Sequence, residues 1–209
     1  MSTGVPWAIA SRNTNPKASY RENSANKSAS AYNSASSLSE VKLAHDYFQK
    51  DIHLYAPAYE AHQLEEMLPM VTCMTFNSLH QYARFKETVA SHKASVSMGL
   101  RLNVEHREVK EALYDPSAPY SRFGVTIDQL KLEACEGLSG ILVHILCGHH
   151  VDALERTIQV LEANFKPLLD QVSWLNLGGG HMVTRPDYDR DRLCALICRL
   201  QETYGVQVI

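Results

Sequence analysis

The sequence predicts an α/β protein built on a parallel β-sheet. From residue 38 onward, short apolar runs rich in Val, Ile and Leu alternate with stretches of helical length and periodicity. Parallel strands joined by right-handed crossover helices produce this alternation. A (β/α)8 barrel and an open doubly wound sheet share the pattern, and about six strand–helix units are legible where a closed barrel needs eight.

The first 37 residues differ from the rest in composition. They contain nine Ser, five Asn and seven Ala, and their only acid is Glu22. A segment with so few large apolar residues cannot bury enough surface to offset the entropy of ordering. We therefore predict a disordered or degenerate N-terminal segment over residues 1–37 and a globular domain over residues 38–209. An organelle transit peptide is the alternative interpretation, because the segment is rich in Ser and poor in acids.

The elements follow in order from residue 37. Ser37 and Glu40 form a predicted capping box, and Leu38, Val41, Ala44, Tyr47 and Phe48 give the next helix one apolar face. The predicted strands are Ile52–Ala56, Val71–Phe76, Val96–Leu102, Ile141–Leu146, Val172–Leu177 and Val206–Ile209. The predicted helices are Tyr59–Leu68, Leu79–Ala90, Ile127–Cys135, Val151–Asp170 and Tyr188–Tyr204.

Composition narrows the class of function. The formal net charge is −3 and no Lys/Arg stripe is present, so a nucleic-acid partner is not expected. No apolar run approaches the ~18 residues of a membrane span. The five cysteines are scattered and odd in number, which predicts free thiols and a reducing, cytoplasmic location.

Three consecutive glycines, Gly178, Gly179 and Gly180, follow the apolar strand that contains Trp174. A backbone without Cβ atoms can turn tightly and bring its N–H groups against an anion such as phosphate. Glycine runs also occur in plain turns, so both interpretations stand. No G-x-G-x-x-G dinucleotide pattern is present.

A single histidine, His144, lies in an apolar strand near the end where α/β proteins bind ligands. It is either a core histidine or an imidazole that faces a planar ligand. Cys147, His149, His150 and His181 lie close in sequence, but their spacing matches no standard zinc pattern, so we predict no metal site. A metal hydrolase based on these histidines is the weakest alternative.

Arg101 is a cation inside an apolar strand, so it must pair with a structural partner or point at a bound anion or ring. The long loop Tyr114–Gly124 follows, stiffened by two prolines. Long loops in compact domains are often functional, and a structural lid is the alternative.

Six segments of the sequence together resemble one family. These segments are Ser36–Leu43, Phe76-Asn77-Ser78, Gly99–Asn103, Tyr114–Gly124, His144–Cys147 and Leu177–His181. The chain resembles the carboxynorspermidine (carboxyspermidine) decarboxylases over about residues 35–209. These enzymes belong to the fold-III pyridoxal-phosphate group, with ornithine and diaminopimelate decarboxylases. The resemblance implies a TIM-type (β/α)8 barrel, present here in part, without the C-terminal β domain of the family.

The resemblance also implies roles for individual residues. His144 matches the histidine that stacks on the cofactor ring, and Gly178, Gly179 and Gly180 match the glycines whose amides hold its phosphate. Arg101 matches a strand arginine close to pyridoxal 5'-phosphate. Glu40 matches an acid near the cofactor rim, and Arg122 lies in the Ser-Arg-x-Gly element beside the pocket.

The chain departs from the family at the Schiff-base lysine. The family lysine lies in an apolar Ala-Leu-Lys strand, whereas Lys17 follows Pro16 in a polar segment and is a weak candidate. The family also has a Glu-Pro-Gly segment beyond the strand that contains Val206, where this sequence stops. We therefore expect an incomplete chain with little or no activity alone.

The function that the resemblance implies is decarboxylation of a carboxylated polyamine in norspermidine or spermidine biosynthesis. A homodimer is expected for the full-length family. The alternative is a catalytically inactive paralogue that binds or regulates a full-length relative.

Overall fold

The structure is a computed structural model, and it describes residues 32–93, 95–109 and 111–209. Its strands are β1 (Tyr32–Ala35), β2 (Asp51–Tyr55), β3 (Cys73–Phe76), β4 (Ser97–Arg101), β5 (Gly140–Leu142), β6 (Trp174–Asn176) and β7 (Gln207–Val208). Its α-helices are α1 (Leu38–Phe48), α2 (Ala61–Met67), α3 (Leu79–Ser91), α4 (Val151–Leu169) and α5 (Arg190–Tyr204).

All seven strands form one sheet in chain order, and every neighbouring pair is parallel. The sheet is strongly curled. Strands β2 and β6 would lie about 19 Å apart in a flat sheet, at ~4.8 Å per strand. Yet the rings of His53 on β2 and Trp174 on β6 have centroids 6.2 Å apart. The predicted partial α/β barrel is confirmed, with one more strand than we predicted.

The additional strand is β1, which lies in the segment that we predicted to be disordered or degenerate. Its four residues pair in register with Asp51–Leu54 of β2, and Ala35 is buried. Backbone pairing with a neighbouring strand, rather than apolar composition, is what orders this polar segment. The predicted boundary at residue 37 is therefore too late, and residues 1–31 lie outside the described residues.

Helix α1 begins as predicted but with a different hydrogen-bond pattern. The Ser37 hydroxyl accepts from the Glu40 backbone N–H at 3.3 Å. The Glu40 carboxylate accepts from the backbone N–H and the hydroxyl of Ser36, at 2.6 and 2.8 Å, instead of reaching back to Ser37. Val41 and Ala44 are buried, whereas Tyr47 and Phe48 are exposed, so the apolar face is narrower than predicted.

The predicted helix Ile127–Cys135 does not form. Two short 3₁₀ turns, Ile127–Gln129 and Leu132–Cys135, stand in its place, separated by extended residues. A helix is stabilised mainly by burying an apolar face. Only Cys135 of these turns is buried, so the segment has no core-facing stripe to stabilise a continuous helix.

Trp174 packs across the inner face of the curled sheet. The indole of Trp174 lies over Gly99 and Gly140, and its Nε1–H donates to the Ser97 hydroxyl at 2.8 Å. A Cβ at Gly140 would lie 1.9 Å from the indole, and one at Gly99 would lie 2.2 Å from it. These glycines therefore leave room for the ring. On β2, by contrast, Ile52 and Leu54 are buried on the helix-covered face.

Two further predictions can be compared with the described residues. All five cysteines are free thiols, as predicted. In the described part of the chain, no helix has the length and apolar character that crossing a membrane requires.

We expect Gly140→Ala to destabilise the fold by about 1–3 kcal/mol, because the methyl group would overlap the indole of Trp174. Gly179→Ala is the matched control, since its Cβ would meet its nearest atom only at 4.0 Å. Urea unfolding followed by circular dichroism measures both. Equal midpoints for the two variants would show that the indole does not pack against Gly140 as described.

Candidate functional site

The carboxyl edge of the sheet gathers most of the predicted site residues. Arg101 is the last residue of β4, His144 follows the end of β5 by two residues, and Gly178 follows the end of β6 by two residues. His144 therefore lies just beyond the strand in which we predicted it, because pairing in β5 ends at Leu142. Ligands of parallel α/β proteins bind at this edge.

His144 is joined directly to the glycine loop. Its Nδ1 accepts a hydrogen bond from the backbone N–H of Gly179 at 3.0 Å. An Nδ1 that accepts carries no proton, so the neutral ring has its proton on Nε2. Burial lowers the pKa of His144, and the nearby charges of Arg101 and His181 lower it further. The site therefore holds a neutral imidazole with a fixed tautomer.

The glycine loop approaches its neighbours too closely for side chains. A Cβ at Gly178 would lie 2.3 Å from Nδ1 of His144, and one at Gly180 would lie 2.0 Å from the carbonyl oxygen of Leu146. Both residues also have positive φ, of 69° and 94°, where side chains are rarely tolerated. The first and third glycines are thus required by geometry.

The amides of this loop are not equally available to a ligand. The N–H of Gly178 donates to Oδ1 of Asn176 at 2.8 Å, and that of Gly179 donates to His144. Within the described residues the N–H of Gly180 makes no hydrogen bond. In this conformation, therefore, the loop offers one amide to an anion, and the other two would have to exchange partners first.

Arg101 is almost completely buried, with 4% of its surface exposed. Nη1 donates to the Tyr55 hydroxyl at 2.6 Å, and Nη2 donates to the carbonyl oxygen of His144 at 2.9 Å. Its guanidinium also lies 4.9 Å from the ring centroid of Tyr55 and 4.6 Å from that of Phe123. No carboxylate pairs with it among the described residues. A cation held by neutral groups alone adds a positive potential to this edge.

The remaining predicted residues are less closely connected to this centre. Glu40 lies beyond β1 at the same edge, but its carboxylate is exposed and bound to Ser36, which lowers its pKa. Arg122 has an exposed side chain, and its carbonyl oxygen accepts from Nδ2 of Asn77 at 2.8 Å. Lys17 lies outside the described residues.

The clustered histidines have other partners. Nδ1 of His149 accepts from the N–H of Cys147 at 3.1 Å, and its Nε2 lies 3.0 Å from the carbonyl oxygen of Glu108. Nδ1 of His181 lies 3.2 Å from the Tyr188 hydroxyl. In the described part of the chain, no group of three His, Cys, Asp or Glu side chains could hold a metal ion.

Sequence reasoning missed Tyr55 and assigned no role to Asn77. Tyr55 ends β2, and its hydroxyl accepts from Arg101 and donates to Oδ1 of Asn77 at 2.9 Å. The only available signal was the position of both residues at strand ends, on the edge that carries Arg101. Nothing in the local sequence shows that their side chains converge.

The described geometry is that of an α/β-barrel protein with a polar centre at the carboxyl edge. No protein-family model matches the chain. A solved diaminopimelate decarboxylase superposes with a TM-score of 0.65 at 19% identity, over 84% of this chain and 46% of its own. This similarity shows that the chain shares the fold of the matched part of that enzyme.

Sequence comparison gives relatives at higher identity. The carboxyaminopropylagmatine decarboxylase of Synechocystis sp. is 42% identical over 164 residues, which is 78% of this chain and 42% of the relative. The carboxynorspermidine/carboxyspermidine decarboxylase of Campylobacter jejuni is 35% identical over 173 residues, 83% of this chain and 44% of the relative. The predicted resemblance to this group is confirmed.

A solved structure agrees with these relatives. The carboxynorspermidine decarboxylase of Campylobacter jejuni, in complex with norspermidine, superposes with a TM-score of 0.75 at 34% identity. It is matched over 84% of this chain and 44% of its own length. The chain thus spans a little under half the length of the curated relatives that it matches. These relatives are enzymes, so the comparisons do not favour the alternative of an inactive regulatory paralogue.

We expect Gly178→Ala to destabilise the protein by about 2–4 kcal/mol, from backbone strain together with overlap between the new methyl group and His144. Gly205→Ala is the matched control. Gly205 also has positive φ, at 65°, but no atom lies within 4 Å of its Cβ position, so only the strain applies. Thermal unfolding compares the two. A Gly178→Ala variant no less stable than the control would contradict the contact with His144.

The lowered pKa of His144 predicts a loss of stability in mild acid. The unfolded chain begins to bind a proton at this residue near the ordinary value of 6.5, whereas the folded protein resists protonation. The stabilisation present above pH 6.5 is therefore lost as the pH falls toward the lower pKa of the folded state. Urea unfolding between pH 7.5 and 5 (chosen to bracket the ordinary value, about 6.5) measures the effect.

Other groups titrate in the same range, so the comparison is made with His144→Gln. The variant should show a shallower loss of stability with falling pH than the parent protein. Parallel pH dependences would mean that His144 is protonated as easily when folded as when unfolded.

Proposed function

We propose that this chain binds pyridoxal 5'-phosphate at the carboxyl edge of its sheet. We further propose that it acts in the decarboxylation of carboxynorspermidine or carboxyspermidine during polyamine biosynthesis. The observation that supports this most directly is the hydrogen bond between His144 and Gly179, because it places an imidazole and a glycine loop in contact. The relatives found by comparison are decarboxylases of carboxylated polyamine precursors.

The residues present fit a ligand that combines a planar ring with a phosphate. The glycine loop leaves no room for Cβ atoms at Gly178 and Gly180, and one of its amides has no hydrogen-bond partner among the described residues. The neutral ring of His144 can stack on a flat aromatic ligand without adding charge. Arg101 and Arg122 provide positive charge near an anionic group. Glu40, already bound to Ser36, would lie at the rim.

The residues of this chain prepare the site in three ways. The Gly179 amide fixes the orientation and tautomer of His144, so that the ring is rigid before the ligand arrives. Arg101 holds the carbonyl oxygen of His144, which fixes the backbone after β5. The exposed guanidinium of Arg122 is free to attract a carboxylate. When bound, the cofactor supplies an electron-withdrawing ring that accepts the electron pair left by departing CO2.

The substrate and the assembly are inferred from the relatives. One solved relative was obtained with norspermidine, which supports a polyamine-type product here. We propose a homodimer for the full-length family form, and a cytoplasmic location is supported by the five free cysteines.

Binding of pyridoxal 5'-phosphate is the first test. Addition of the cofactor should quench the tryptophan fluorescence of the parent chain in a saturable titration, since Trp174 is on β6, the strand that leads into the glycine loop. His144→Ala should weaken binding about threefold to tenfold, through loss of ring stacking. His45→Ala, at an exposed position of α1, is the control and should bind like the parent. A parent chain that does not bind the cofactor would refute the proposal.

Activity is tested separately, by measuring CO2 release from carboxynorspermidine, carboxyspermidine and carboxyaminopropylagmatine. We expect little turnover by the chain alone, because no lysine occurs in the sequence context of the Schiff-base residue. Borohydride treatment of the cofactor complex followed by peptide mapping identifies any attached lysine. Attachment at Lys17 would show that this residue replaces the family lysine.

A further inference from the structure

The long crossover from β4 to β5 returns to the sheet at Val125, whose backbone bonds to Arg101 and Asn103, and the side chain of Asn77 binds the residues just before it. Asn77 follows β3, and its Oδ1 accepts from the hydroxyl of Tyr55 and from the backbone N–H of Gly124, both at 2.9 Å. Its Nδ2 donates to the carbonyl oxygen of Arg122 at 2.8 Å. The contacts span 22 residues in one direction along the chain and up to 47 in the other.

The orientation of this amide follows from its partners. The N–H of Gly124 can only donate and the carbonyl oxygen of Arg122 can only accept, so a flipped amide would face both with the wrong group. With Oδ1 fixed as an acceptor, the Tyr55 hydroxyl donates to it and accepts from Arg101. The backbone N–H of Asn77 in turn donates to Oε1 of Gln81 at 2.7 Å, which anchors it on α3.

Asn77 also determines what covers Arg101. Between the two loop residues that it binds lies Phe123, whose ring centroid is 4.6 Å from the Arg101 guanidinium. On the other side Tyr55, bound to the same amide, lies 4.9 Å from that guanidinium. One amide is therefore bonded to Tyr55 and to the residues on either side of Phe123, the two rings around a buried cation, and that cation holds the carbonyl oxygen of His144.

We propose that Asn77 is a positioning residue of the site. It holds residues 122–124 against the sheet, and so presents the Arg122 guanidinium at the carboxyl edge and keeps Arg101 covered. We call this unit, formed by Tyr55, Asn77 and residues 122–124, the Asn77 clamp. The clamp is a property of the chain itself, whereas its effect on cofactor affinity rests on the proposed function.

The test uses trypsin, which cleaves after arginine. The Arg122 side chain is exposed, but the adjacent peptide bond carries the carbonyl oxygen that Asn77 binds. Cleavage requires the segment to leave the sheet. Asn77→Ala, which loses all three hydrogen bonds, should be cut after Arg122 at least about tenfold faster than the parent. Mass spectrometry follows this cut, and cleavage after the exposed Lys86 of α3 is the internal reference.

The conservative variant and a matched control separate positioning from general stability. Asn77→Asp keeps both acceptor contacts and should be cut at an intermediate rate. Asn164→Ala removes the same amide from an exposed position on α4 and should be cut like the parent. The melting temperature should be unchanged in Asn77→Asp. If Asn77→Ala lowers it, then Asn77→Asp and Tyr55→Phe serve as the test, and both should be cut faster than the parent.

The consequence for the site is measured as affinity for pyridoxal 5'-phosphate, which should fall at least about threefold in Asn77→Ala and remain unchanged in Asn164→Ala. Parent-like cleavage of the Asn77 variants overturns the clamp. Faster cleavage with unchanged affinity overturns its role in positioning the site. A parent chain that fails to bind the cofactor, while Asn77→Ala is cut faster, refutes the proposed function and supports the clamp.

Discussion

The buried guanidinium of Arg101 is the constraint around which the carboxyl edge is organised. Removing a cation from water is costly unless its donors are satisfied, and no described carboxylate satisfies them. The phenol of Tyr55, the carbonyl oxygen of His144 and two aromatic faces do so instead. These partners come from β2, from beyond β5 and from the β4–β5 crossover, so satisfying one charge draws three parts of the chain together.

The polar centre at the carboxyl edge forms because the sheet curls. The curl depends on residues that lie away from this centre. Trp174 fills the inner face over Gly99 and Gly140 and reaches Ser97. The strand that carries Trp174 continues directly into the glycine loop, so the packing of the inner face sets where that loop begins. A larger residue at either inner glycine would displace the indole and, with it, the support for the loop. Stability and site geometry are therefore coupled along β6.

The sequence predicted those features that are local or periodic. Apolar runs located β2 to β7, and the Ser37 cap located the start of α1, because each depends on neighbouring residues. Strand β1 was not predicted, because Tyr32–Ala35 has no apolar pattern. Its order comes from pairing with β2. The helix predicted at Ile127–Cys135 failed because tertiary burial did not support it. His144 and the glycines could each be singled out from their strand ends, whereas Tyr55 and Asn77 could not, because their roles depend on hydrogen bonds between distant segments.

The charges at this edge explain which ligands it suits. Arg101 and Arg122 carry positive charge, and a neutral His144 adds none. The Glu40 carboxylate is held by Ser36, whose two donors favour its ionised form without bringing it into contact with either arginine. Of these groups two are positive and one is negative, in a protein whose formal net charge is −3. The buried Arg101 and the exposed Arg122 therefore suit an anionic group, such as a phosphate.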